Sequence, residues 1–158
     1  MYLVSSCLAG LKVRYNGTDC LQGAVAKLVR EHMAVTVCPE LLGGFATPRE
    51  PAEIVGGEGE DVLEGKAKVI DKSGFDVTEL YIKGAYETLR IAREVGAVKV
   101  VLKEFSPSCG STMIYNGTFT GEKIAGKGVT SALLRKEGFQ VISERQFIDE
   151  ISNAGERK

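Results

Sequence analysis

The chain has a single histidine, His32, so a cysteine–histidine nucleophile pair would have to draw on that residue alone. No run approaches the roughly 18 apolar residues of a membrane-spanning helix, and residues 1–6 show no charged leader, long apolar stretch or cleavage site. A membrane partner and secretion are therefore not expected, and the expected compartment is a reducing cytoplasm. Neither charge is in excess: 20 basic and 21 acidic residues give a formal net charge of -1. A nucleic acid polymer, whose binding draws on clustered positive charge, is not an expected partner. The chain also lacks a C-x-x-C pair, the short spacing common in closed structural zinc sites.

Apolar residues make up 44% and charged residues 26% of the 158, the usage of an ordinary globular chain of one-domain length. Of the four cysteines, three sit just past short apolar runs that read as strands: Cys7 after residues 2–4, Cys38 after 34–37 and Cys109 after 98–102. The carboxyl ends of parallel strands share one edge of a sheet, so these thiols can converge although they are distant in sequence. In a reducing compartment such cysteines are more often metal ligands or catalytic thiols than disulfide partners. Three thiolates on one edge point to a metal or cluster site. Cys20, inside the first helical stretch, reads as a small core residue.

Strand and helix signals alternate along the chain. They predict a single α/β domain over residues 1–152, Rossmann-like, with a mainly parallel sheet and a β-hairpin excursion, followed by a polar tail over 153–158. Residues 19–32 have helical apolar spacing. Residues 41–64, rich in glycine and proline, read as a long functional loop, and 66–70 as a short strand. Residues 76–95 form the clearest helix, with Asp76 and Glu79 as a capping pair, Leu80, Leu89 and Ala92 on its apolar face, and Gly96 as its stop. Asn116-Gly117 predicts a tight turn between strands at 113–115 and 118–120. A helix at 131–137, a strand at 140–143 and a helix at 145–151 complete the domain.

Residues 121–127 match the start of a phosphate-binding loop, G-x-x-x-x-G-K, but Gly128 stands where such a loop needs Ser or Thr for magnesium. A milder role remains for this stretch. With Thr130 as N-cap, backbone N–H groups beside Gly126 and Gly128 would be left to hold a carbonyl, carboxylate or phosphate. Arg49, in the string TPREP, is a candidate for orienting an anionic or carbonyl group, and the Ser106-Pro107-Ser108 turn brings two hydroxyls next to Cys109.

The strings SCLAGLKVRYNG, CPELLGGFATPREP, KEFSPSCGSTMIYNG and GKGVTSALL, in that order, closely resemble the bacterial and archaeal family designated DUF523. The resemblance spans residues 6–144. Some members of that family are thiouracil desulfurases carrying a 4Fe-4S cluster. By motif position the resemblance implies Cys7, Cys38 and Cys109 as cluster ligands, leaving one iron without a protein ligand, and Glu40 and Ser106 as catalytic residues. Ser108, Arg49 and Thr130 join them as candidates for substrate binding. The implied activity is non-redox removal of sulfur from a small thiolated substrate such as a thiouracil-like base, by substrate sulfur binding to the open cluster iron. Thiolates are the usual protein ligands of such clusters, and a soft thiocarbonyl sulfur suits an open iron. The alternative from the residues alone is a non-catalytic module in which the three cysteines hold zinc and the glycine-rich helix start binds an anion.

Overall fold

Short β-branched runs alternating with amphipathic stretches order the chain into strands and helices that pack in layers. The computed structural model describes residues 1–12, 14–17 and 23–156. In chain order the elements are β1 (Tyr2–Ser5), α1 (Gly23–Arg30), β2 (Ala34–Val37), α2 (Pro39–Leu42), β3 (Ala52–Val55), α3 (Gly59–Leu63) and β4 (Lys68–Asp71). They continue with α4 (Thr78–Glu94), β5 (Lys99–Leu102), β6 (Met113–Tyr115), β7 (Lys123–Ala125), α5 (Val129–Lys136), β8 (Val141–Ser143) and α6 (Glu144–Glu156).

Four strands pair in parallel in the order β2-β1-β5-β8, with Tyr2 opposite Ala34 and Lys99, and Val100 opposite Val141. Successive strand residues point to opposite faces. Leu3, Val100 and Leu102 pack with Leu89 of α4 and Leu133 of α5, whereas Val4, Val101 and Ile142 pack with Val25 of α1 and Phe147 of α6. Both faces are covered, which is why these strands read as continuous apolar runs. Fully burying a side chain such as Leu3 or Leu102 stabilises the fold by about 1.5–3 kcal/mol. From β1 the chain goes to β2 on one side and later to β5 on the other. The strand order therefore reverses between β1 and β5, and a crevice opens there at the carboxyl edge.

The expected long loop at 41–64 is instead structured. Much of it belongs to α2, β3 and α3, and β3 pairs antiparallel with β4, from Ala52 opposite Asp71 to Val55 opposite Lys68. The four-residue strand AEIV is too short to rise above the turn residues on either side. A Cβ on Gly84 of α4 would collide with the Pro39 carbonyl oxygen, and one on Gly43 with that of Leu80. These two glycines let α2 lie directly on α4.

Other boundaries differ from the expected ones as well. The start of the expected 19–32 helix, with Cys20 and Leu21, lies outside the described residues, and α1 ends at Arg30. Helix α4 begins at Thr78 without the Asp76–Glu79 capping pair; Asp76 Oδ1 instead accepts from the Thr78 amide (3.0 Å) and hydroxyl (2.6 Å). Its buried face is Tyr81, Gly84, Ala85, Thr88, Leu89 and Ala92, while Leu80, expected there, is exposed. Strand β6 pairs with β7 rather than with 118–120. Asn116 Oδ1 accepts from the Thr118 amide and hydroxyl, and the Gly117 amide donates to Glu53 of β3 at 2.9 Å, so the chain folds over β3 instead of turning tightly. Helix α5 starts at Val129 with Gly128 as its cap, not Thr130, and α6 runs beyond residue 151 to Glu156. Among the described residues no helix is long and apolar enough to cross a membrane.

Candidate active site

Strands β1, β2 and β5 end on one edge, and a cysteine follows each. Cys7 lies in the 3-10 turn Ser6–Ala9 directly after β1, Cys38 joins β2 to α2, and Cys109 lies in the loop after β5. All three are thiols and line one cavity of about 350 Å³, together with Glu40, Arg49 and Ser106. That volume lies within the ~300–1,000 Å³ of small-molecule sites. Burial pushes the Cys109 thiol well up, and the neighbouring Glu40, Cys38 and Cys7 add to the effect in that order. Cys38 is raised by burial and then by Glu40, against a weaker pull from the Leu41 and Glu40 amides and the Arg49 guanidinium. Soft thiols that oppose one another's ionisation suit a thiophilic cation, whose charge would offset that repulsion. Among the described residues no group of three His, Cys, Asp or Glu side chains is placed to hold a single metal ion, and three thiols on one cavity are the donor type that iron–sulfur clusters take. The donor set fits a sulfur-ligated cluster.

The string Cys-Pro-Glu builds the next part of the site. Cys38 is extended (φ -126°, ψ 103°), and Pro39, whose ring fixes φ, starts α2 and puts Glu40 in its first turn. Glu40 Oε2 accepts from Arg49 at 3.0 Å, with side chains only 13% and 7% exposed. Little solvent screens this pair. The Arg49 amide donates to the Tyr15 carbonyl at 2.7 Å, which ties the arginine's segment to the chain after Cys7. Tyr81 of α4 lines the same cavity, and burial followed by the Glu40 carboxylate pushes its phenol well up, so it stays a donor.

The Cys109 loop is fixed by hydrogen bonds from several directions. Ser106 Oγ accepts from the amides of Cys109 (2.6 Å) and Ser108 (3.2 Å), a serine turn that leaves its own hydroxyl hydrogen to donate. The α5 amides are not open to a ligand, contrary to the expectation for residues 126–130. Val129 N–H donates to the Pro107 carbonyl (2.7 Å), and Thr130 and Ser131 N–H to that of Ser108 (2.9 and 3.2 Å). Thr130 and Ser108 are fully buried and share a hydroxyl–hydroxyl bond of 2.7 Å behind Cys109, and neither lines the cavity. Both thus stand apart from Arg49, the third substrate-binding candidate, which does line it. A Cβ on Gly110 would lie 2.7 Å from the Met113 carbonyl oxygen, so the glycine serves the close return of the chain.

Glu104, which carries no signal in the sequence, organises this loop. Its Oε1 accepts from the amides of Ser111 (2.6 Å), Thr112 (3.1 Å), Met113 (3.3 Å) and Phe105 (3.3 Å), and Oε2 from the Ser111 and Thr112 hydroxyls. Burial works to raise its carboxyl, but the hydrogen bonds from Ser111, Thr112 and Met113 outweigh it and hold it below its ordinary value. The stabilisation is present above the unfolded pKa, about 4.3, and is lost as pH falls through the lower folded value. Glu104→Gln should destabilise the protein by about 1–3 kcal/mol at neutral pH. Melting temperatures of the two proteins should converge on acidification; parallel curves would remove the carboxylate from this role.

Cys7, Cys38, Cys109, Glu40, Arg49 and Ser106 are thus brought to one cavity. Glu53, Tyr81, Glu104, Phe105 and Phe119 share it without having been singled out. Tyr81 had one sequence signal, a hydroxyl-bearing residue on the apolar stripe of a helix.

Comparison with known proteins adds to this geometry. A profile of the family described as 2-thiouracil desulfurase matches residues 2–146. The uncharacterized protein YbbK of Bacillus subtilis (strain 168) is 61% identical over 149 residues, covering 94% of this chain and 99% of that protein. A solved structure described as the [4Fe-4S]-dependent thiouracil desulfidase TudS (DUF523) superposes with a TM-score of 0.83 at 42% identity, over 99% of this chain and 98% of the other. The chain belongs to the 2-thiouracil desulfurase family.

Proposed function

We propose that this protein is a 4Fe-4S-dependent desulfurase that hydrolyses a small thiocarbonyl compound, a thiouracil-like base being the nearest substrate, to its carbonyl counterpart and hydrogen sulfide. The observation that carries this reading is that three thiols from three separate strand ends line one cavity beside a buried Glu40–Arg49 pair. Cys7, Cys38 and Cys109 would hold the cluster. When bound, a cluster with one iron lacking a protein ligand supplies a Lewis-acidic position that favours soft sulfur.

The rest falls to the chain's own groups. Arg49 engages Glu40 Oε2 and so fixes the carboxylate, leaving Oε1 to take a proton from the water that attacks the thiocarbonyl carbon. The Ser106 hydroxyl, oriented by its bonds to two amides, donates to a substrate ring atom. Tyr81 offers a second donor hydroxyl on the cavity wall. The carbon–sulfur bond breaks as the carbon–oxygen bond forms, the proton count balances as water adds and hydrogen sulfide leaves, and no redox partner is required. We also read the parallel sheet, with its site at the strand-order reversal, as Rossmann-like.

Protein purified anaerobically is expected to be brown, to contain iron and acid-labile sulfide in equal amounts, and to release sulfide from at least one compound in a panel of thiolated bases and thioamides. A colourless zinc-loaded protein that releases none would favour the metal- and anion-binding module instead.

A further inference from the structure

Among the described residues three non-glycine residues hold a positive φ: His32 (58°), Phe105 (78°) and Phe119 (58°). His32 closes the end of α1, where that conformation is common. Neither phenylalanine ends a helix, and a bulky residue in this region is an outlier that marks a local constraint. Both line the cavity that holds the three cysteines.

Each is anchored by a buried carboxylate on the same cavity. The Phe119 amide donates to Glu53 Oε1 at 3.2 Å, beside the Gly117 amide at 2.9 Å, and the Phe105 amide donates to Glu104 Oε1 at 3.3 Å. Glu53 and Glu104 are 8% and 9% exposed. A Cβ on Gly117 would lie 2.6 Å from the Ile54 carbonyl oxygen, so this turn sits directly on β3. The Phe105 ring is held as well: the Lys123 ammonium lies 4.0 Å from its centroid, and the Tyr115 ring centroid 6.3 Å away at 52°. With Tyr15, Tyr81 and Tyr115, five of the chain's 5 tyrosines and 6 phenylalanines taken together line this one cavity. Sulfur–water exchange at a carbon does not by itself call for aromatic rings along the cavity, so these rings speak to the shape of the substrate.

We propose that Phe105 and Phe119 are positioning residues that stack against a planar heteroaromatic thiocarbonyl, and that Glu53 and Glu104, by holding their backbones, make the site prefer such rings over flexible acyclic thioamides. The proposal rests on the desulfurase reading for its sulfur chemistry and adds the walls that select the substrate.

Calorimetric titration of the cluster-loaded protein with uracil, a ring without sulfur, tests the walls apart from turnover. Phe119→Gly, which keeps the left-handed backbone, Phe105→Leu and Glu53→Ala should each weaken binding about tenfold, whereas Phe119→Tyr and Glu53→Gln, which keep the ring and the acceptor oxygen, should stay within about twofold. In turnover, Phe119→Gly should raise KM for a thiouracil with kcat nearly unchanged, and leave KM for thioacetamide as it was. The proposal is overturned if wild-type protein does not bind uracil, or if Phe119→Gly and Phe105→Leu bind it as tightly as wild type. Uracil binding with the expected pattern in a protein that releases sulfide from no thiocarbonyl would uphold the walls and overturn the desulfurase reading alone.

Discussion

Cys38→Ala protein, reconstituted anaerobically, is expected to emerge colourless, with iron at background and no sulfide release. Cys38 is the N-cap residue of α2, two residues before Glu40, and the Cys109 thiol feels it. Its removal costs little volume, and β2, Pro39 and the close packing of α2 on α4 are left in place. The effect should therefore fall on the metal and not on the fold. Circular dichroism and melting temperature would stay near wild type while the visible absorbance disappears. Cys20→Ala, outside the ligand set, is the matching control and should keep its colour. A brown, active Cys38→Ala protein would remove Cys38 from the ligand set.

Glu40→Gln should do the reverse, keeping the cluster and losing about 10²- to 10⁴-fold in turnover. Glutamine retains an oxygen that can accept from Arg49, so the 3.0 Å contact has a replacement, but a neutral amide cannot take a proton from water. Glu40→Ala is a poorer test, because deleting the carboxylate beside a nearly buried arginine costs about 3–5 kcal/mol and would confound folding with chemistry. Single-turnover sulfide release by reconstituted Glu40→Gln, compared at equal iron content, makes the measurement. Full activity would take Glu40 out of the mechanism without touching the cysteines.

The parts of this molecule that could be read from the chain were those whose cause is local. AVTV and KVVL announce buried parallel strands because both faces are covered, and a cysteine after each strand marks the carboxyl edge. The glycine-rich stretch at 41–64 concealed β3 because four residues of strand carry little periodicity, and its pairing with β4 is a contact between segments distant in sequence. The Asn116-Gly117 pair has the chemistry of a tight turn, yet the Gly117 amide finds Glu53 on another strand, and that non-local bond decides the path. The same holds for Glu104 and for the start of α5. Nothing in GKGVTSALL says that its amides will be taken by Pro107 and Ser108. Thr130 misled for this reason: its hydroxyl looked like a cap and is spent on Ser108.

The junction of α5 with the Cys109 loop bears on where the rigidity of the cavity comes from. The amides of Val129, Thr130 and Ser131 and the Ser131 hydroxyl bind the carbonyls of Pro107, Ser108 and Cys109, so the backbone of this loop is held by the helix behind it. Fixing a residue's backbone costs about 1–2 kcal/mol, and here hydrogen bonds within the protein offset part of that cost. Cys109 therefore stands on a braced loop, a wall of the cavity kept in shape by the start of a helix.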